Sequence, residues 1–210
     1  MMSDAASLKD RVRLPLRFDP VRLQKDLAGI AEESWIQHFN TQGYHGEWSG
    51  VALRGSAGAK HPILALHPSP SATDWDDTDI LERCEYFNEV LSAFHCPLQS
   101  VRLLKLGVGA VIKEHRDHEL GLEDGVARVH IPILTNPDVE FVLNQQRVIM
   151  DEGESWYLNF NLPHRVANHG ASERVHLVVD CTVNDWLHAL LGQPAERHGM
   201  DIPDATPLGN

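Results

Sequence analysis

The sequence predicts a mainly β chain built as an antiparallel sandwich or barrel. Three observations carry this. From Ser100 onward, short runs rich in apolar and β-branched residues follow one another: "SVRLLKLG", "AVIKEHRD", "ARVHIPILT", "VEFVLN", "RVIMD", "SWYLNF", "RVAN" and "RVHLVVDCTV". Gly, Pro, Asn and Asp punctuate them, the residues that turn a chain between strands. No helical periodicity intervenes, so the crossover helices of a parallel sheet are missing.

The remaining elements frame this body. Asp19 before Pro20 reads as an N-cap followed by proline in the first turn, and Leu23, Leu27 and Ile30 recur at helical spacing, which predicts a helix over 20–33. "GEWSGVALRGS" reads as a strand in which Trp48 is a sheet residue and Arg54 a surface charge. The acidic run "DWDDTD", 74–79, lacks the spacing of a calcium loop and reads as a solvated loop and helix cap. Leu81, Cys84, Phe87, Leu91 and Phe94 fall on one helical face and predict a second helix. Trp156 and Tyr157 alternate faces of a strand, as core residues do. Asn184 caps a last helix, "DWLHALLG", and the polar, proline-dotted tail over 193–210 is expected to be loosely held.

The totals bound the function classes. A chain of 210 residues fits one domain, 1–210. Its formal charge of −12 argues against a broad nucleic-acid or anionic-membrane surface. Cys84, Cys96 and Cys181 form no CxxC pair and are odd in number, so neither a disulfide framework nor a thiolate zinc site is suggested. The start of the chain mixes charges, and no apolar run approaches the roughly 20 residues of a membrane span. The expectation is a soluble, cytoplasmic protein without a nucleic-acid or membrane partner.

The chemistry begins at "IKEHRDHELG". On a strand, His115 and Asp117 point to one side while Arg116 and His118 point away, so His-x-Asp is a two-ligand claw. His164 follows 47 positions after Asp117 (164 − 117), far enough for the chain to pass through several hairpins and return. Two histidines and one carboxylate leave half of an octahedral metal's positions open, the arrangement that suits non-haem Fe(II) and oxygen. His130, His169 and His176 compete with His164 for the third place. His118, His169 and His176 otherwise read as surface groups or neighbours of the ligands, with His176 able to orient one. Arg174 shares its strand face with His176 and Val178, opposite Val175, Leu177 and Val179; a buried arginine there calls for an anion. On the earlier "RVH" strand, Arg128, His130 and Leu134 face one way, and Val129, Ile131 and Ile133 the other.

The run "HRD … RVHIPI … GESWYLNFNLPHRVANHG … RVHLVVD" resembles the aspartyl/asparaginyl β-hydroxylase family of Fe(II)/2-oxoglutarate-dependent dioxygenases, over about residues 45–190. The resemblance implies a cupin-like jelly-roll, or double-stranded β-helix, with flanking N-terminal and C-terminal α-helices. It implies Fe(II) on His115, Asp117 and His164, and the far carboxylate of 2-oxoglutarate on Arg174. It assigns His130 to the cosubstrate and Arg128 to a substrate carboxylate. O2 is then consumed with release of succinate and CO2, and ascorbate serves as reductant in vitro. The substrate class implied is an amino acid, or an Asp/Asn-type residue in a small peptide or natural-product intermediate. The animal endoplasmic-reticulum members lack the acidic ligand and carry membrane and helical-repeat regions. Asp117 is present here and those regions are not, which aligns the chain with small bacterial members that hydroxylate free proline. A cupin-like Zn or Mn isomerase or hydrolase, or a non-enzymatic jelly-roll sensor, gives no reason for Arg174 ten residues beyond His164 (174 − 164).

Overall fold

In the computed structural model, which describes residues 9–59, 61–67 and 72–192, the strand-like runs pair antiparallel in two sheets. The larger runs in the order β1 (Arg11–Arg17), β11 (Glu154–Leu158), β8 (Val126–Leu134), β13 (Arg174–Thr182), β6 (Leu98–Leu106), β4 (Trp48–Ser56) and β2 (Ile36–Gln37), with β5 (Trp75–Asp77) paired to β4. The smaller runs β10 (Gln146–Arg147), β9 (Val139–Leu143), β12 (His164–Asn168), β7 (Val111–His115) and β3 (Tyr44–His45). This is the mainly β jelly-roll architecture, flanked by helices.

Period-two alternation decides what each face of the larger sheet does. On β6, β8 and β13, Val101, Leu103, Val129, Ile131, Ile133, Val175, Leu177 and Val179 are all fully buried in one cluster. The helices α1 (Pro20–Ala28), α3 (Asp79–Glu82), α4 (Glu85–Ser92) and α5 (Asp185–Gly192) contribute Leu23, Leu81, Phe87 and Leu187 to it. The opposite positions on the same three strands are Arg102, Arg128, His130, Arg174, His176 and Asp180. They lie toward the smaller sheet, where Leu106, Ile112, Phe141, Leu143, Leu158, Phe160 and Val166 form a second apolar cluster. The polar face of the central strands is therefore interior.

Several elements differ from expectation for identifiable reasons. The helix predicted over 20–33 stops at Ala28, because Gly29 and Ile30 donate to the carbonyls of Asp26 and Leu27 and tighten the turn; Glu32–Ser34 is a separate 3-10 turn. Asp19 caps α1 as predicted, its Oδ1 accepting from Val21 N at 2.8 Å. The second helix is broken into α3 and α4 at Arg83 and Cys84, yet Leu81, Cys84, Phe87, Leu91 and Phe94 are all buried. The "DWDDTD" run holds the short strand β5, and Thr78 caps α3. Within "RVIMD" only Arg147 is strand. The strand β1 was hidden in the charged start of the chain. Its signal is the alternation of Val12, Leu14 and Leu16, and Pro15 is tolerated because β1 pairs on one side only. Asn184 caps α5 through Leu187 N. The tail over 193–210 lies outside the described residues. Among the described residues no helix is long and apolar enough to cross a membrane.

Candidate active site

β12 returns alongside β7 with His164 directly opposite His115. Asp117 follows β7 immediately, and its backbone N–H donates to the Phe160 carbonyl at 3.0 Å. The result brings ligand atoms of His115, Asp117 and His164 within 4.8 Å of one another. Each histidine is also set in a defined tautomer. Nδ1 of His115 donates to the Lys113 carbonyl at 2.8 Å, and Nδ1 of His164 donates to the Leu162 carbonyl at 3.0 Å. Both Nε2 atoms thereby keep their lone pairs, the state a metal needs. Burial, with a smaller contribution from neighbouring His115, pushes His164 down to about 4, so it stays neutral. The donor set and the tautomers fit a divalent metal. The rival third ligands lie elsewhere: His169 is exposed, and His130 and His176 stand on the larger sheet.

The larger sheet supplies cations to the same cavity, which has a volume of about 230 Å³ and is also lined by Phe141, Phe160, Leu104 and Val166. Arg174 is 2% exposed. It has no carboxylate partner among the described residues; its Nη2 donates to Nδ1 of His176 at 2.8 Å, and its Nε is buried without a partner. Burial lowers its pKa to about 9. His176, read from the sequence as a surface group or a neighbour able to orient a ligand, is buried at 2% and holds both Arg174 and His130, whose Nδ1 lies 3.1 Å away. Arginine can only donate, so Nδ1 of His176 accepts and His130 donates from Nδ1. That leaves Nε2 of His130 buried and without a partner among the described residues, with its ring stacked on Phe160 at 5.0 Å.

Arg128 lies in the interior. Its Nε and Nη2 bond the two oxygens of Asp180 at 2.7 and 2.9 Å, and its Nη1 bonds Oδ2 of Asp117 at 2.8 Å. Arg102 also bonds Asp180, at 2.6 Å, and sends Nη1 to the Leu66 carbonyl at 3.1 Å. Its Nε has no partner among the described residues. Arg102 is marked by no local motif, and Asp180 closes the "RVHLVVD" run without a role assigned to it; 78 residues separate the two and only the pairing of β6 with β13 unites them.

The remaining wall comes from His38, Trp48 and His67. Trp48 is the sheet residue expected, on β4, and also lines the cavity, as the resemblance of its strand to one near the family's pocket implies; Arg54 is the expected surface charge, paired with Asp77. His67 follows the short helix α2 (Pro62–Leu66), which lies directly on β4. Only glycine permits that approach at position 55, since a Cβ there would meet the backbone of Ala65 at 2.7 Å.

The chain is similar to several known proteins. The family described as aspartyl/asparaginyl beta-hydroxylase matches residues 21–183. L-Proline cis-4-hydroxylase of Rhizobium meliloti (strain 1021) is 26% identical over 194 residues, covering 90% of this chain and 67% of the relative. L-Proline cis-3-hydroxylase 1 of a Streptomyces species is 28% identical over 172 residues, 79% of this chain, and the chain spans only 57% of that relative's length. Among solved structures, a 2OG-Fe(II) oxygenase family oxidoreductase from Burkholderia pseudomallei is similar with TM-score 0.54 at 17% identity, over 83% of this chain and 86% of that one. The α-ketoglutarate-dependent epimerase SnoN of nogalamycin biosynthesis is similar with TM-score 0.51 at 13% identity, over 93% and 91%. Both share the fold. With the family match running through every strand that carries the His, Asp and Arg groups, the chain belongs to the aspartyl/asparaginyl β-hydroxylase family of Fe(II)/2-oxoglutarate-dependent dioxygenases.

Proposed function

We propose that this chain hydroxylates a small free amino acid, of the size and kind of proline, at the site between its two sheets. The observation that carries the reading is Arg174, a buried guanidinium without a carboxylate partner among the described residues, at a cavity that also holds the His115, Asp117 and His164 cluster. A buried charge of this kind is stabilised by an anion, and a dicarboxylate cosubstrate supplies one in the geometry a guanidinium grips with two bonds.

Nε2 of His115, Nε2 of His164 and one oxygen of Asp117 would hold Fe(II). When bound, the metal with 2-oxoglutarate supplies the chemistry that spends O2 on releasing succinate and CO2 and on oxidising a C–H bond. The protein's own part is placement. Arg174 takes the far carboxylate of 2-oxoglutarate, oriented by His176. His130, with Nε2 buried and without a partner among the described residues, lines the same cavity and stands beside the cosubstrate. Phe141, Phe160, Leu104 and Val166 exclude water.

The substrate carboxylate belongs with Arg128 and Arg102. Asp180 neutralises one of these two guanidiniums and holds both in place; once Asp117 is committed to a metal, one positive charge remains for a ligand. A cavity of about 230 Å³ suits a small molecule, and the two curated relatives act on proline. The isomerase, hydrolase and sensor readings leave Arg174 without a task.

The test incubates protein purified without oxygen with Fe(II), ascorbate, 2-oxoglutarate and a library of free amino acids and small peptides. Succinate should appear only with a free amino acid, which gains one oxygen by mass spectrometry. A peptide as the sole productive substrate would overturn the reading.

A further inference from the structure

A free amino acid brings two charges into this cavity, and the arrangement described so far accounts for one. Arg102 and Arg128 meet the carboxylate. The ammonium has no carboxylate to meet: among the described lining residues the only acid is Asp117, a ligand of the proposed metal, and both oxygens of Asp180 are occupied by Arg102 and Arg128. What remains on the lining is a nest of rings. His38 stacks on Trp48 with centroids 3.6 Å apart and planes 6° from parallel, and stands edge-on to His67 at 4.8 Å. Tyr44 and Phe39 brace Trp48 and His67 from the side, at 5.5 and 4.6 Å.

We propose that the wall of His38, Trp48 and His67 is the subsite for the substrate's amino group, with Nε2 of His67 accepting its N–H and the Trp48 ring facing its charge. This rests on the reading of the site as an amino-acid hydroxylase. Nε2 of His67 is buried and has no hydrogen-bond partner among the described residues, so the wall holds one unsatisfied polar atom there. His38 takes a different part. Its Nδ1 accepts from the backbone N–H of Asn40 at 3.3 Å, which puts its proton on Nε2 and leaves the ring as a flat plate supporting Trp48. Arg102 ties the two ends of the substrate together. The guanidinium that meets the carboxylate also donates to the Leu66 carbonyl, one residue before His67, and so fixes the separation of the anionic and cationic subsites. Burial first, and the charge of Arg102 second, lower His67 to about 4, so the ring is neutral at pH 7 and has one acceptor nitrogen. An electron-rich indole face and a neutral acceptor attract an ammonium without repelling the carboxylate beside it.

The test compares the amino acid found by the library with the analogue in which CH2 replaces the amine; for proline this is cyclopentanecarboxylate. Wild type should favour the amino acid in kcat/KM by roughly tenfold to a hundredfold, the usual cost of leaving a buried polar group unpaired. His67→Phe keeps a ring and removes the lone pair, and should bring the preference close to one by raising KM for the amino acid. The affinity for 2-oxoglutarate, titrated without oxygen, should not change. His67→Gln restores an acceptor and should recover part of the preference. Equal use of amino acid and analogue by wild type overturns the inference, as does full preference in His67→Phe. Those results leave the hydroxylase reading standing; failure of every amino acid to drive succinate formation removes both.

Discussion

At the scale of single residues, the site divides into groups that hold the metal and groups that hold anions, and substitutions should separate the two. His115→Ala, Asp117→Ala and His164→Ala should each lose bound iron and turnover with folding little changed, while His118→Ala and His169→Ala keep both; metal analysis of the purified variants and their far-ultraviolet circular dichroism decide this. Arg174→Ala should weaken 2-oxoglutarate binding by about 2 to 5 kcal/mol, because it strands a carboxylate in a buried pocket. Arg174→Lys should recover only part of that, lacking the planar fork. Arg128→Ala should bind 2-oxoglutarate normally yet decarboxylate it without hydroxylating substrate, a contrast read by comparing succinate with oxygenated product. The residues in these tests are legible from the sequence because they sit in short local patterns, His-x-Asp and the two "RVH" strands. Arg102, Asp180, His38 and His67 are not. Their roles exist only where distant strands and loops converge, and a lone Arg in "SVRLLKLG" looks like any outward strand charge.

Elements show the same division between what is local and what is borrowed. Strands were readable wherever apolar residues alternate, and even the overlooked β1 carries that pattern. The break between α3 and α4 was not readable, because the cap of α4 comes from another helix. Cys84 occupies the N-cap position and offers no side-chain bond, while Oδ2 of Asp26 on α1 accepts from Tyr86 N and Phe87 N at 2.8 and 2.9 Å. One carboxylate thus caps a helix in trans and docks α1 on α4. Asp26→Ala should cost about 1 kcal/mol, the ordinary worth of a cap. Denaturant unfolding should show it as a lower midpoint, and iron binding, far from this joint, should be unaffected.

For the molecule as a whole, the interior polar face has a consequence for stability against acid. Burial first, then the charge of Arg174, holds His130 and His176 neutral far below the ordinary 6.5. The unfolded chain takes up protons on these imidazoles near pH 6.5 and the folded chain does not. Stability from this source is therefore complete above about pH 6.5 and lost as pH falls, by about 1.4 kcal/mol per pH unit for each such imidazole. Asp180 acts in the same direction at lower pH, since Arg128 and Arg102 outweigh its burial and hold its carboxyl below the usual range. Urea midpoints of the metal-free protein should fall steadily from pH 7 to pH 5; a flat profile would show that these rings can be protonated in place.

The two sheets divide the work: His115, Asp117 and His164 stand on or beside strands of the smaller one, and Arg102, Arg128, His130, Arg174 and Trp48 on strands of the larger. No strand carries both sets. The oxidising centre and the grip on its target are thus two leaves of a book, and their registration is kept by the apolar packing between them. Warming that loosens this packing shifts one leaf against the other. Fidelity should fail ahead of structure: on heating, the yield of hydroxylated product per succinate declines at temperatures where circular dichroism is still that of the folded chain.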